Sequence, residues 1–179
     1  SNDTMQNIEN IIGTSGVDSI SGDASNNLFT GAGGNDTLDG EGGDDILNGG
    51  IGNDTLLGGD GNDTLNGDDG NDILTGGAGL NIISGGNGDD QMIVGAGTDT
   101  FNGEGGSDTV DYSQFVAVTS INVTLQGNTS TTIAVTGVGT SDDIVSNVEN
   151  ITGTSGADNI HGDSTNNTII GGAGNDVLS

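Results

Sequence analysis

The chain has 179 residues, with 37 Gly, 27 acidic residues and no Lys, Arg, Pro or Cys, so its formal net charge at neutral pH is −27. Nothing in it can neutralise a phosphate backbone or hold an anionic lipid surface, no disulfide can staple it, and it has no run of 18 apolar residues to span a bilayer. At this charge and low hydrophobicity, either cations hold the fold together or the chain is disordered.

Residues 1–12 read as the end of a preceding linker or cap. A nine-residue register then runs from Gly13 to Asp111 without a gap, in eleven copies. Two of them, GGIGNDTLL (Gly49–Leu57) and GGDGNDTLN (Gly58–Asn66), follow Gly-Gly-x-Gly-x-Asp-x-Leu-x throughout. Position six holds Asp18, Asn27, Asp36, Asp45, Asp54, Asp63, Asp72, Asn81, Asp90, Asp99 and Asp108. Position eight is always apolar, from Ile20 and Phe29 to Phe101 and Val110. Each copy reads as six residues of turn followed by a three-residue strand whose central side chain faces inward. Two copies make one coil, so residues 18 apart stack as parallel strands about 4.8 Å apart, giving a roll roughly 25 Å long.

Residues 112–152 change character and read as a β-hairpin cap and linker. Ile121, Val123 and Leu125, then Ile133 and Val135, alternate with polar residues as half-buried strands do. Gly127-Asn128 and its Ser/Thr-rich neighbours form the connection. Tyr112, Phe115 and Val116 are expected to cap the open end of the roll, and Asp143–Glu149 (DIVSNVE) to form one short helical turn. The register resumes at Gly153, with Asp158, Asn167 and Asp176 at position six, so 153–179 is the start of a second roll. About half of residues 1–39 recur identically at 141–179, a tandem unit of 140 residues. The chain is therefore expected to be a segment of a longer protein.

One inward apolar side chain per nine residues is little to set against the entropy of ordering the backbone. The position-six carboxylates would repel one another along each edge of the roll. A hard divalent cation between successive turns turns that repulsion into attraction. Calcium fits, because it takes six to eight oxygens, including the carbonyls of Gly-rich turns. Magnesium demands stricter octahedral geometry, and softer metals want His or Cys.

With its eleven copies, the sequence resembles the RTX (repeats-in-toxins) calcium-binding nonapeptide proteins. The resemblance implies an all-β fold, a parallel β-roll with a small antiparallel hairpin. It implies multiple Ca²⁺ ions between neighbouring turns, held by Asp18, Asp36, Asp45, Asp54, Asp63, Asp72, Asp90, Asp99, Asp108, Asp158 and Asp176 together with backbone carbonyls. It also implies an extracellular bacterial protein exported by type I secretion, and the long tandem unit looks like the adhesin type.

Alternate copies fall on opposite edges of such a roll. One edge carries Asp18, Asp36, Asp54, Asp72, Asp90 and Asp108, and is expected to be fully occupied by calcium. The other carries Asn27, Asp45, Asp63, Asn81 and Asp99, with ions weak or missing around the two Asn. Other chemistry finds no support. The Gly-rich turns lack the Lys of a phosphate loop, and no EF-hand Glu is placed correctly. His161 is the only His, read as a solvated surface residue, so no catalytic triad can be built. Position three carries no Thr ladder of the kind an ice-binding face would need. The segment is expected to be a non-enzymatic, monomeric structural module that folds on export into millimolar calcium and acts as spacer or switch. It is expected to bind no nucleic acid and to insert into no membrane. The alternatives are a module binding glycan or a host surface through the hairpin, and the non-catalytic secretion tail of a toxin or enzyme.

Overall fold

The computed structural model describes residues 9–114, 118–127, 129–137 and 142–179. Phe115, Val116 and Asn128 lie outside the described residues. The regular structure among those described is entirely β. Strands β1 (Asn10–Ile12), β2 (Ser19–Asp23), β3 (Leu28–Gly33), β4 (Thr37–Glu41), β5 (Ile46–Ile51) and β6 (Thr55–Asp60) open the coil. It continues through β7 (Thr64–Asp69), β8 (Ile73–Ala78), β9 (Ile82–Asn87), β10 (Gln91–Ile93), β11 (Thr100–Gly105) and β12 (Thr109–Asp111). The chain alternates between two sheets, odd strands in one and even strands in the other, each strand parallel to the one a coil away. Register is 18 residues per coil: Leu47 pairs with Leu65 and Leu65 with Ile83. This is the parallel β-roll that the nine-residue period predicts.

The strands are longer than the three residues read from the sequence. A typical one covers six, running through positions seven to nine and on through positions one to three of the next copy, as in β5. The pleat explains this. Residues i and i+2 face the same side, so the inward residue at position eight is followed by an inward residue at position one. In β5 these are Leu47 and Gly49, both buried. Phe29, Leu38, Leu47, Leu56, Leu65, Leu74, Ile83, Met92, Phe101 and Val110 form one column of buried side chains along the axis. Each contributes roughly 2 kcal/mol by leaving water. Where position one is glycine there is no room for a side chain: a Cβ on Gly49 would lie 2.5 Å from the Asp54 carboxylate and 2.8 Å from the Gly67 carbonyl. The copy that opens at Val94 departs from this and buries the valine.

Beyond β12 the chain makes the antiparallel hairpin β13 (Val118–Thr124) and β14 (Thr131–Gly137), then β15 (Asp143–Ser146) and β16 (Asn150–Thr152). The last strands are β17 (Asn159–His161), β18 (Thr168–Ile170) and β19 (Val177–Leu178). Asp143–Ser146 is a strand, not the short helical turn expected. Ile144 is outward and Val145 inward, and the segment pairs in parallel with β11, Phe101 against Val145. It reads D-I-V-S, the last four positions of a nonapeptide, and behaves as one.

The hairpin lies within the odd sheet, in the order β11–β15–β14–β13–β17, while across the roll β12, β16 and β18 follow one another directly. One sheet therefore carries two more strands than its partner at this level. Ile121, Val123, Leu125 and Ile133 are buried there, as their alternation predicts.

Candidate metal centre

Position six immediately precedes each strand of the coil, and its side chain is buried from Asn27 to Asp108. The backbone N–H of each position-six residue donates to the carboxylate Oδ1 of the residue one coil on. Asp18 donates to Asp36 at 2.7 Å, Asp36 to Asp54 at 2.7 Å, Asp54 to Asp72 at 2.7 Å, Asp72 to Asp90 at 2.8 Å and Asp90 to Asp108 at 3.0 Å. On the opposite edge Asn27 donates to Asp45, Asp45 to Asp63, Asp63 to Asn81 and Asn81 to Asp99. The structure thus brings the position-six residues of the main array into two ladders, in the order the alternation of copies predicts. Asp158 and Asp176 stack in the same way near the end of the chain, at 3.0 Å.

Those bonds use one carboxylate oxygen. The second, Oδ2, is buried without a hydrogen-bond partner at Asp36, Asp45, Asp54, Asp63, Asp72, Asp90, Asp99 and Asp108. A buried carboxylate with an unpaired oxygen is costly, and the chain contains no Lys or Arg to pair with it. Burial pushes Asp45 and Asp72 up to about 6, against the lowering effect of the ladder N–H, and neighbouring acids add to the rise. Asp108 is pushed up to about 7 in the same way. Asp54, Asp63, Asp90 and Asp99 are raised by burial too.

The free oxygens share a small cradle with main-chain carbonyls. The point that a Cβ would occupy on Gly49 touches both Asp54 Oδ2 and the Gly67 carbonyl oxygen, and Gly31, Gly40 and Gly58 repeat the arrangement with Asp36, Asp45 and Asp63. Two acceptors facing one space need a donor or a cation. Among the described residues no three His, Cys, Asp or Glu side chains converge, so an ion must draw on carbonyls as well as on single carboxylates. An oxygen-only set of this kind suits calcium.

A family model for the RTX calcium-binding nonapeptide repeat matches residues 12–47, 39–74, 48–83, 75–110 and 145–178. The chain belongs to this family. No individual curated protein matches it.

The last RTX match begins at residue 145, ahead of the register restart read at Gly153, and the ladders explain why. Asp99 N–H donates to Asp143 Oδ1 at 2.8 Å, and Asp108 N–H to Glu149 Oε2 at 3.0 Å. Asp143 and Glu149 therefore fill the next position-six places, 44 and 41 residues on instead of 18. Sequence reasoning missed both because the hairpin breaks the spacing. The signal was present in D-I-V-S and E-N-I-T, each an acid two places before an inward apolar residue. Asp143 Oδ2 accepts the buried Tyr112 hydroxyl at 2.8 Å, so Tyr112 supplies a donor as well as apolar bulk.

Position five forms a further ladder that the sequence reading passed over. The side-chain oxygens of Asn35, Asn53, Asn71 and Asp89 accept N–H bonds from Asn53, Asn71, Asp89 and Ser107, all at 2.9–3.0 Å. Position six thus donates forward along the roll and position five backward, so each RTX corner is bonded to the coil on either side.

Proposed function

We propose that this RTX module is a calcium-dependent folding switch and spacer within a secreted protein. The observation that carries the reading is the row of eight buried carboxylate oxygens without partners in a chain that has no Lys or Arg. Without cations these groups oppose folding; calcium binds only where coils are stacked, so binding stabilises the folded state alone. Sites of this extracellular type bind at ~0.1–1 mM, which leaves the chain unfolded and exportable at cytosolic calcium and folded outside. The chain's own groups do the positioning. Ladder N–H groups fix each carboxylate, glycine at position one clears the space beside all of the open ones but Asp99, and the inward column excludes water from one side. Calcium supplies the neutralising charge. RTX repeats are typical of secreted bacterial proteins, and among the described residues no helix is long and apolar enough to cross a membrane. The test is circular dichroism of chelated protein at pH 7.5 titrated with calcium. A rise in β-signal with a midpoint near 0.1–1 mM is expected; a spectrum unchanged by calcium refutes the switch.

A further inference from the structure

Eight position-six acids leave Oδ2 open, but Asp18 and Asp158 do not. Thr14 N–H donates to Asp18 Oδ2 at 2.6 Å and the Thr14 hydroxyl to the same atom at 3.0 Å. Thr154 N–H donates to Asp158 Oδ2 at 2.7 Å, and its hydroxyl lies 3.0 and 3.1 Å from the two carboxylate oxygens. The following copies close in the same way: Asp23 N–H donates to Asn27 Oδ1 and Asp163 N–H to Asn167 Oδ1.

All four closing residues stand at position two. In seven of the eight copies with an open Asp that position has a left-handed backbone: Ala32 (φ 79°), Glu41 (70°), Gly50 (108°), Gly59 (107°), Asp68 (71°), Gly86 (113°) and Glu104 (70°); Gly95, in the copy of Asp99, is the exception. Thr14, Asp23, Thr154 and Asp163 are not left-handed. A β-branched residue strongly resists positive φ, and each of the four also accepts the N–H of position four on its own side chain. Gly16 bonds Thr14, Ser25 bonds Asp23, Gly156 bonds Thr154 and Thr165 bonds Asp163. Held in that turn, the position-two N–H points at the position-six side chain. In the left-handed copies no position-two N–H reaches Oδ2, which stays open.

We propose that the residue at position two decides whether a copy takes calcium, and that the first two copies of each 140-residue unit take none. This rests on the calcium reading above but departs from the ion assignment at Asp18 and Asp158. The two closed copies are Gly13–Ser21 and Gly22–Thr30 in the first unit, and Gly153–His161 and Gly162–Ile170 in the second. The arrangement accounts for Asn27 and Asn167: where the N–H of position two already fills the site, a carboxylate has no cation to serve. It also separates Asn81, whose copy is open at Gly77 (φ 91°) and whose Nδ2 is buried without a partner.

The test counts calcium ions on the full chain by native mass spectrometry. Asp72→Asn is expected to lose at least one ion and Asp158→Asn none. Thr154→Gly frees Asp158 Oδ2 and permits a left-handed turn, and is expected to gain one. Loss of an ion in a folded Asp158→Asn variant, or no gain in folded Thr154→Gly, overturns the proposal. Should either variant fail to fold, calcium anomalous scattering from crystals of the unaltered chain decides. A peak about 2.4 Å from Asp72 Oδ2 and none at Asp158 Oδ2 supports it, and a peak at Asp158 refutes it. An unaltered chain that binds no calcium at all would instead refute the proposed function.

Discussion

The coils between Gly31 and Asp111 and the stretch from Tyr112 to His161 face the same electrostatic problem and resolve it differently. In the first, Asp36, Asp45, Asp54, Asp63, Asp72, Asp90, Asp99 and Asp108 each keep a buried oxygen without a partner. In the second, Asp143 is closed by Tyr112 and Asp158 by Thr154. The apolar content differs in step. The regular coils bury one large side chain per copy, with Val94, in the copy of Phe101, the one addition, whereas the second stretch adds Tyr112, Ile121, Val123, Leu125 and Ile133 to its inward column. Regularity is thus obtained by leaving charge for an outside ion to neutralise, and the irregular stretch keeps its own core and its own donors.

The largest expected effect follows from removing calcium. Under chelation at pH 7.5, hydrogen exchange is expected to lose protection first across residues 36–108 and to retain it longest in β13–β17. Equal loss in both would break the contrast. Acid should replace the metal. Folded-state values of about 6 for Asp45 and Asp72 and about 7 for Asp108 lie above the usual carboxylate value of 3.8. The folded form therefore binds protons more tightly than the unfolded chain. This contribution is fully present below pH about 4 and is lost as pH rises through about 6 to 7. Chelated protein moved from pH 8 to pH 4.5 should regain β-signal. With calcium present the dependence reverses, because protons then compete with the ion.

Two substitutions sharpen the comparison at the level of single side chains. Leu65 is fully buried in the middle of the column, and Leu65→Ala should cost about 2–5 kcal/mol in calcium. It should also weaken calcium binding, since the sites exist only in stacked coils. Tyr112→Phe leaves the packing and removes the donor to Asp143. It should cost about 1.5–3 kcal/mol in calcium at pH 7.5, where Asp143 is ionised, and less in acid without metal, because burial raises Asp143 to about 6 and the protonated carboxyl makes only a neutral bond. Denaturant unfolding measures both. A Tyr112→Phe cost that vanished in calcium would mean that a cation can take over the hydroxyl's place at Asp143.

The coil was legible because its period is strict. Position eight named the core from Ile20 to Val110, and the alternation of copies sorted Asp18–Asp108 and Asn27–Asp99 onto their ladders. What was not legible came from geometry that residue type alone does not encode. The inward Gly at position one belongs to a strand, yet glycine reads as turn. Asp143 and Glu149 keep the ladders going across a hairpin that destroys the spacing. Whether Thr14 and Asp68 stand beside closed or open sites follows the sign of one backbone angle: Thr14 favours one sign through its branched Cβ, while Asp takes either, as Asp23 and Asp68 do.

Asn81 gives the smallest and most discriminating test. It sits in an open copy, accepts the Asp63 N–H at 2.9 Å and donates its own N–H to Asp99 at 3.0 Å. Asn81→Asp keeps both bonds and exchanges a buried unpaired Nδ2 for a carboxylate oxygen. Without metal, the new charge between Asp63 and Asp99 should lower Tm. With calcium at ten times the dissociation constant of the restored site, it should raise stability by about 1.4 kcal/mol through the added ion. The reversal of sign is the diagnostic. A side chain that mattered only for packing or for the ladder bond would shift Tm in the same direction under both conditions. Only a place shaped for a cation and lacking its carboxylate would respond in opposite directions.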